Sequence, residues 1–229
     1  MISVGQWSQF RDLKKHENRI IESPLKFKIC LLGNRGAGKT SLSASLRNGI
    51  FSEHHRVTMG FDVQFKSIDL AGLNIALLVW DVGGNDVFTS FAHDAEGAII
   101  IFSVDDHRSF RDIPFWISRF EHYNQQAPFM IVGNKTDSSK RVISRQEGER
   151  LAALYKAPYI ETSAKTVANV EEAFRIITIL VLGHLLEKEL SEHGISLRQH
   201  QRSIYQPSEQ ESFQDVLTYV QQQRRGLKE

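Results

Sequence analysis

The segment LGNRGAGKTS at residues 32–41 places Gly33, Gly38, Lys39 and Thr40 in the order G-x-x-x-x-G-K-[ST]. Residues of these types at this spacing make a tight turn whose N–H groups converge, backed by the positive end of a helix. Such a cradle suits a polyphosphate, and its glycines let the backbone come close without an intervening Cβ. Asn34, Arg35, Gly36, Ala37, Gly38, Lys39, Thr40 and Ser41 form the phosphate-facing turn. Lys39 is expected to neutralise the β- and γ-phosphates, and the Thr40 hydroxyl to ligate Mg²⁺.

The base is chosen elsewhere, in GNKTD at residues 133–137. A carboxylate accepts two hydrogen bonds from guanine, at N1–H and the 2-amino group. Adenine offers neither donor, and a site built on hydrogen bonds rejects analogues that lack them by roughly 10⁴-fold. Asp137 is therefore assigned to the guanine edge, Asn134 to bracing the loop and the base, and the Lys135 stem to covering the ring. In ETSAK, residues 161–165, the backbone around Ser163, Ala164 and Lys165 can donate to guanine O6. In DVGG, residues 81–84, Asp81 is expected to hold a water on Mg²⁺ and the Gly84 N–H to reach the γ-phosphate.

These motifs need a scaffold, and the flanking sequence supplies one. KFKICLL (26–32) alternates as a strand ahead of the phosphate turn, and a helix follows to about Asn48. FDVQFKSIDL (61–70) and LNIALLVWDV (73–82), joined at Ala71–Gly72, read as an antiparallel hairpin. GAIIIFSV (97–104) and PFMIVGN (128–134) are unbroken apolar runs, as in parallel strands covered on both faces. Helical patterns at 109–123, 144–156 and 169–190 alternate with them. The expected fold class is α/β, with helices on both faces of a mostly parallel sheet and ligands at the carboxyl ends of its strands.

With these motifs in order, the chain resembles the Ras superfamily of small GTPases over about residues 25–182. TMGFDVQFKSIDLAGLNIALLVWDVGG and TSAKTVANVEEAF look most like the Rab branch, while WDVGG is also similar to the Arf branch. The resemblance implies a three-layer P-loop GTPase domain with a six-stranded, mostly parallel sheet, and a GTP/GDP switch that uses Mg²⁺. It maps Thr58 to the switch-I threonine that ligates Mg²⁺ in the GTP state, Phe51 to the aromatic packed edge-on against guanine, and Asn85 to the glutamine that orients the attacking water. His55, in the same switch, is read as a shield for the phosphates. The resemblance also implies effector, exchange and activator proteins that read switches I and II. Trp80, with Phe61, Val63, Phe88 and Phe91, is a candidate for that surface, with plain burial as the alternative.

The departures bear on catalysis. Asn85 is one methylene shorter than glutamine and should position water poorly. Arg35 falls where most relatives carry a small residue. It can point to solvent, sit near the γ-phosphate as a counter-charge, or fill the space an activator's arginine would enter. The pair Asn85 and Arg35 leads to an expectation of slow hydrolysis, with Lys39 and Gly84 stabilising the transferring phosphate. The rival reading is a non-catalytic, nucleotide-locked binding module that docks partners through its terminal extensions.

Residues 1–24, part helical, and 183–229 are expected to lie outside the domain, the latter as a helical extension. Ser208 and Glu211 there resemble a capping box ahead of Phe213, Val216, Leu217 and Val220 at helical spacing. The whole chain has 229 residues, 41% hydrophobic and 24% charged, with a net charge of +1. Such near-neutrality argues against nucleic acid as a partner. A single cysteine, Cys30, excludes an internal disulfide. No run is long enough to span a membrane and no cysteine stands near the end of RRGLKE, so the expectation is a cytoplasmic protein without a prenyl anchor, touching membrane at most indirectly.

Overall fold

The computed structural model describes residues 25–48, 61–70, 73–82 and 93–192. Strand β1 (Leu25–Leu32) runs into the phosphate turn and helix α1 (Lys39–Asn48). Strands β2 (Phe61–Leu70) and β3 (Leu73–Val82) pair antiparallel, from Phe61 opposite Val82 to Leu70 opposite Leu73, with the bounds expected from alternation. Then come β4 (Gly97–Ser103), α2 (His107–Arg111), α3 (Ile113–Tyr123), β5 (Phe129–Asn134), α4 (Arg145–Leu154), β6 (Tyr159–Glu161) and α5 (Val170–Glu192). They form a six-stranded sheet in the order β2-β3-β1-β4-β5-β6, parallel except for the β2–β3 pair.

Period-2 alternation sorts the core into two layers. Phe27, Ile29, Leu31, Ile99, Ile101, Met130 and Val132 face one cluster, which holds Leu42 and Leu46 of α1 and Phe174, Ile177 and Val181 of α5. Cys30, Leu32, Ile100, Phe102 and Ile131 face the other, with Ile113, Trp116, Ile117 and Phe120 of α3 and Ala152 of α4. Helices therefore cover both faces, giving the three layers expected. The central strands bury both sets of side chains, which is why their sequences read as continuous apolar runs.

One helix boundary differs from the sequence reading. The pattern at 109–123 splits at Asp112 into α2 and α3, because Pro114 at the start of α3 has no N–H to continue a helix. Asp106 caps α2 through Arg108 N–H at 2.9 Å, and Ser144 with Glu147 forms a capping box on α4. Helix α5 passes without a break through the 182/183 boundary and ends at Glu192, with Leu185 and Leu186 packed on the core.

Candidate functional site

Every motif singled out on the described residues falls at the carboxyl edge of the parallel strands. β1 delivers the phosphate turn, β3 delivers Asp81, β5 delivers Asn134, and β6 leads into Thr162 and Ser163. Gly33 crosses β4 so closely that a Cβ there would lie 2.1 Å from the Ile101 carbonyl oxygen, and its φ of +136° is one that other residues resist. At the far end of the turn, a Cβ on Gly38 would meet the Asn134 amide nitrogen at 2.3 Å.

Lys39 reaches back across the turn, donating to the Gly33 carbonyl at 2.7 Å and the Asn34 carbonyl at 3.1 Å. Burial lowers its pKa, with Asp81 opposing that shift. Burial likewise raises the Asp81 pKa, against the Thr40 hydrogen bond and the Lys39 charge. Both charges thus sit where desolvation disfavours them, so each gains from an external counter-charge: an anion for Lys39, a cation for Asp81. The Thr40 hydroxyl donates to Asp81 Oδ2, while Asp81 Oδ1 is buried without a hydrogen-bond partner among the described residues. A hydroxyl beside an orphaned carboxylate oxygen fits a hard divalent cation such as Mg²⁺, which takes oxygen ligands.

The base-side loops are tied to the phosphate turn through Asn134, which is fully buried. Its Nδ2 donates to the Ala37 carbonyl at 3.0 Å, and its Oδ1 accepts from Thr162 Oγ1 at 3.1 Å and Ala164 N–H at 3.2 Å. Ser163 Oγ donates to Asp137 at 2.6 Å and orients that carboxylate. Lys135 adopts a φ of +67°, and its ammonium lies 3.7 Å from Asp105. Burial would raise the Asp105 pKa, but Ser103, Lys135 and Ser138 outweigh it and hold it low. Lys135 is thereby aimed across the loop toward Asp105.

Sequence reasoning missed Thr162, Asp105, Asp112 and Trp116 as supporting residues. Thr162 and Asp105 left no signal beyond their place at strand ends. Asn34, read as a phosphate-turn residue, sends its side chain to α3. Nδ2 donates to Asp112 at 2.7 Å, and Oδ1 accepts from Trp116 Nε1 at 2.8 Å. Arg35 is exposed and makes no ion pair or hydrogen bond among the described residues. Trp80 is 5% exposed, stacked on Phe61 at 5.4 Å and lying opposite Val63 in the hairpin, so it underlies that face of β2–β3. Phe51, His55, Thr58, Gly84, Asn85, Phe88 and Phe91 lie outside the described residues.

A glycine-rich turn from β1 into a helix, a half-buried lysine, an orphaned aspartate and a braced base loop at one sheet edge define a P-loop nucleotide-binding domain. Its family follows from comparison. The model of the Ras family matches residues 28–182. Mouse Rab-26 is 37% identical over 158 residues, covering 66% of this chain and 61% of Rab-26. Human Rab-8B is 38% identical over 154 residues, covering 65% and 74%, and SEC4 of Saccharomyces cerevisiae is 35% identical over 159 residues, covering 67% and 74%. The chain spans about three fifths of the length of the Rab-26 relatives. The chain belongs to the Ras family of small GTPases, on its Rab branch. No helix among the described residues is long and apolar enough to cross a membrane.

Proposed function

We propose that this protein is a Mg²⁺-dependent GTP/GDP switch with slow intrinsic hydrolysis, acting in the cytoplasm in signalling or vesicle trafficking. The observation that supports it best is the Lys39 and Asp81 pair. Each charge is disfavoured by burial, and a phosphate beside Lys39 or a metal ion beside Asp81 would compensate it. Thr40, Asp81 and the switch residue Thr58 would hold Mg²⁺, which supplies charge neutralisation between the β- and γ-phosphates. Lys39 and the turn from Asn34 to Ser41 would bind and orient the triphosphate, with Gly84 donating to the γ-phosphate. Asp137, held by Ser163, would select guanine, with Lys135 and Phe51 against the ring, Ala164 and Lys165 at its edge and His55 shielding the phosphates. Asn85 would hold the attacking water less well than a glutamine. Arg35, exposed beside the site, would either lend a counter-charge near the γ-phosphate or fill the space an activator's arginine would enter. Effector, exchange and activator proteins would read switches I and II, including the face of β2–β3 around Phe61.

Calorimetry with Mg²⁺ should give tight binding of GTP and GDP and about 10⁴-fold weaker binding of ATP. Single-turnover hydrolysis should be slow in the wild type and faster in Asn85→Gln. Equal rates would remove the argument for slow turnover. One nucleotide retained unchanged through purification and incubation would favour the nucleotide-locked module instead. ATP binding as tight as GTP would remove the switch itself.

A further inference from the structure

The Asn34 side chain sits at the start of the phosphate turn, yet both of its ends are taken by α3. Its Nδ2 donates to Asp112 Oδ2 at 2.7 Å and its Oδ1 accepts from the Trp116 indole N–H at 2.8 Å. Asp112 stands at the N-cap of α3, where a carboxylate ordinarily accepts from the helix's own first N–H groups. Here it makes no side-chain capping bond. Arg108 on α2 is 3.9 Å from the same oxygen, but its side chain is largely exposed and that of Asp112 partly so, so that ion pair contributes little. The capping group of one helix has been turned across to a loop 78 residues earlier in the chain. Trp116 is 8% exposed, packed in the core layer beneath α3, so its N–H is a fixed anchor rather than a mobile one.

We infer that Asp112 and Trp116 are positioning residues for nucleotide retention, acting through Asn34 to hold the first limb of the phosphate turn. The inference rests on the nucleotide reading of this site. In the structure Lys39 gives two of its three N–H bonds to the Gly33 and Asn34 carbonyls. A triphosphate draws the ammonium toward its own oxygens, so Lys39 cannot brace that limb and serve the phosphates with equal strength. The Asn34 clasp does not touch the phosphates and keeps its grip in either case. It also fixes the backbone from which Arg35 projects. A contact that pre-forms the turn spares the ordering cost on binding, and its loss appears mainly as faster release.

Release of a fluorescent GDP analogue, chased with excess GDP in Mg²⁺ buffer, tests this on the full chain. Asn34→Asp places two carboxylates face to face and should release nucleotide about tenfold faster, a usual coupling for residues in one hydrogen-bond network. Asp112→Ala should behave alike, and Trp116→Phe, which keeps the packing and removes only the N–H, should show a smaller increase. The exchanged pair, Asn34→Asp with Asp112→Asn, restores a donor opposite an acceptor and should return release to within about twofold of wild type. A contact that merely stabilises the fold would lower the melting temperature of the single variants and leave release rates unchanged. That result, or an exchanged pair as fast as Asn34→Asp alone, overturns the inference. Failure of the wild type to bind any guanine nucleotide would instead sink the nucleotide reading, so the two failures are separable.

Discussion

Asp81 shows how one side chain carries an energetic argument. Burial raises its pKa from 3.8, so in metal-free protein its ionisation opposes folding: that stability is fully present below pH 3.8 and is lost as pH rises through the raised folded value. Mg²⁺ held beside Asp81, directly or through a water, would reverse the preference by favouring the ionised form. The Mg²⁺-dependent rise in melting temperature of the GDP complex should therefore be greatest near neutrality, roughly 5–10 °C at saturating metal, and should shrink as pH falls toward the ordinary carboxylate range. Differential scanning calorimetry with and without Mg²⁺ measures it. If Asp81→Asn keeps the full increment, the carboxylate does not hold the metal. The two glycines of the turn make a contrasting pair. Gly33→Ala drives a Cβ into the Ile101 carbonyl, a backbone atom that cannot step aside, and should cost more than about 2 kcal/mol of stability in chemical denaturation. Gly38→Ala pushes instead on the Asn134 amide. It should weaken GDP binding at least about tenfold, because the bond from Asn134 to Ala37 is what couples base loop to phosphate turn.

Between elements, the ties that hold the base side of the site are polar and reach across strand ends. Arg141, in the stretch before α4, makes a two-pronged bond to Glu161 of β6, at 2.8 Å on each side, while Tyr159 donates to the same carboxylate at 3.1 Å. Burial pushes the Glu161 pKa up, but the Arg141 bonds and charge outweigh it and hold it below 4.5. Stability from this group is present above pH 4.5 and is lost as pH falls through the depressed folded value. Arg141→Met should lower the melting temperature by roughly 2–6 °C at pH 7, equivalent to about 1–2 kcal/mol, and the gap should narrow in acid. A gap of the same size at low pH would mean that packing of the arginine stem, not its charge, is what was lost.

Across the whole molecule, the domain is closed by α5, whose length exceeds what the family match at residues 28–182 alone would require. Leu185 and Leu186 continue the apolar stripe of Ile177, Leu180 and Val181 onto the first core layer. A chain ending at Leu182 should melt roughly 4–10 °C below one ending at Glu192, since two half-buried leucines contribute about 2–3 kcal/mol. Any test of the segment beyond the helix for control over nucleotide exchange must cut after Glu192, so that lost packing is not mistaken for lost regulation. Equal melting temperatures for the two chains would show that the last turns of α5 lie on the domain without stabilising it.

The sequence by itself determined the β2–β3 hairpin to the residue, the two-sided burial of β4 and β5, and the phosphate and base motifs at strand ends. Each of these is written locally, in a period of two, a glycine spacing or a run of apolar residues. It did not reveal the break between α2 and α3, where the apolar stripe continues although Pro114 stops the ladder. Nor could it show that Asn34 belongs to Asp112 and Trp116, that Thr162 meets Asn134, or that Lys135 turns to Asp105. Those partners lie 28 to 82 residues apart or follow from one positive φ, and hydrogen bonds at such separations leave no period in the chain. Only the packing of α3 against the sheet and the pairing of β6 with β5 bring the donors to their acceptors, and so only the tertiary structure decided how the site is held.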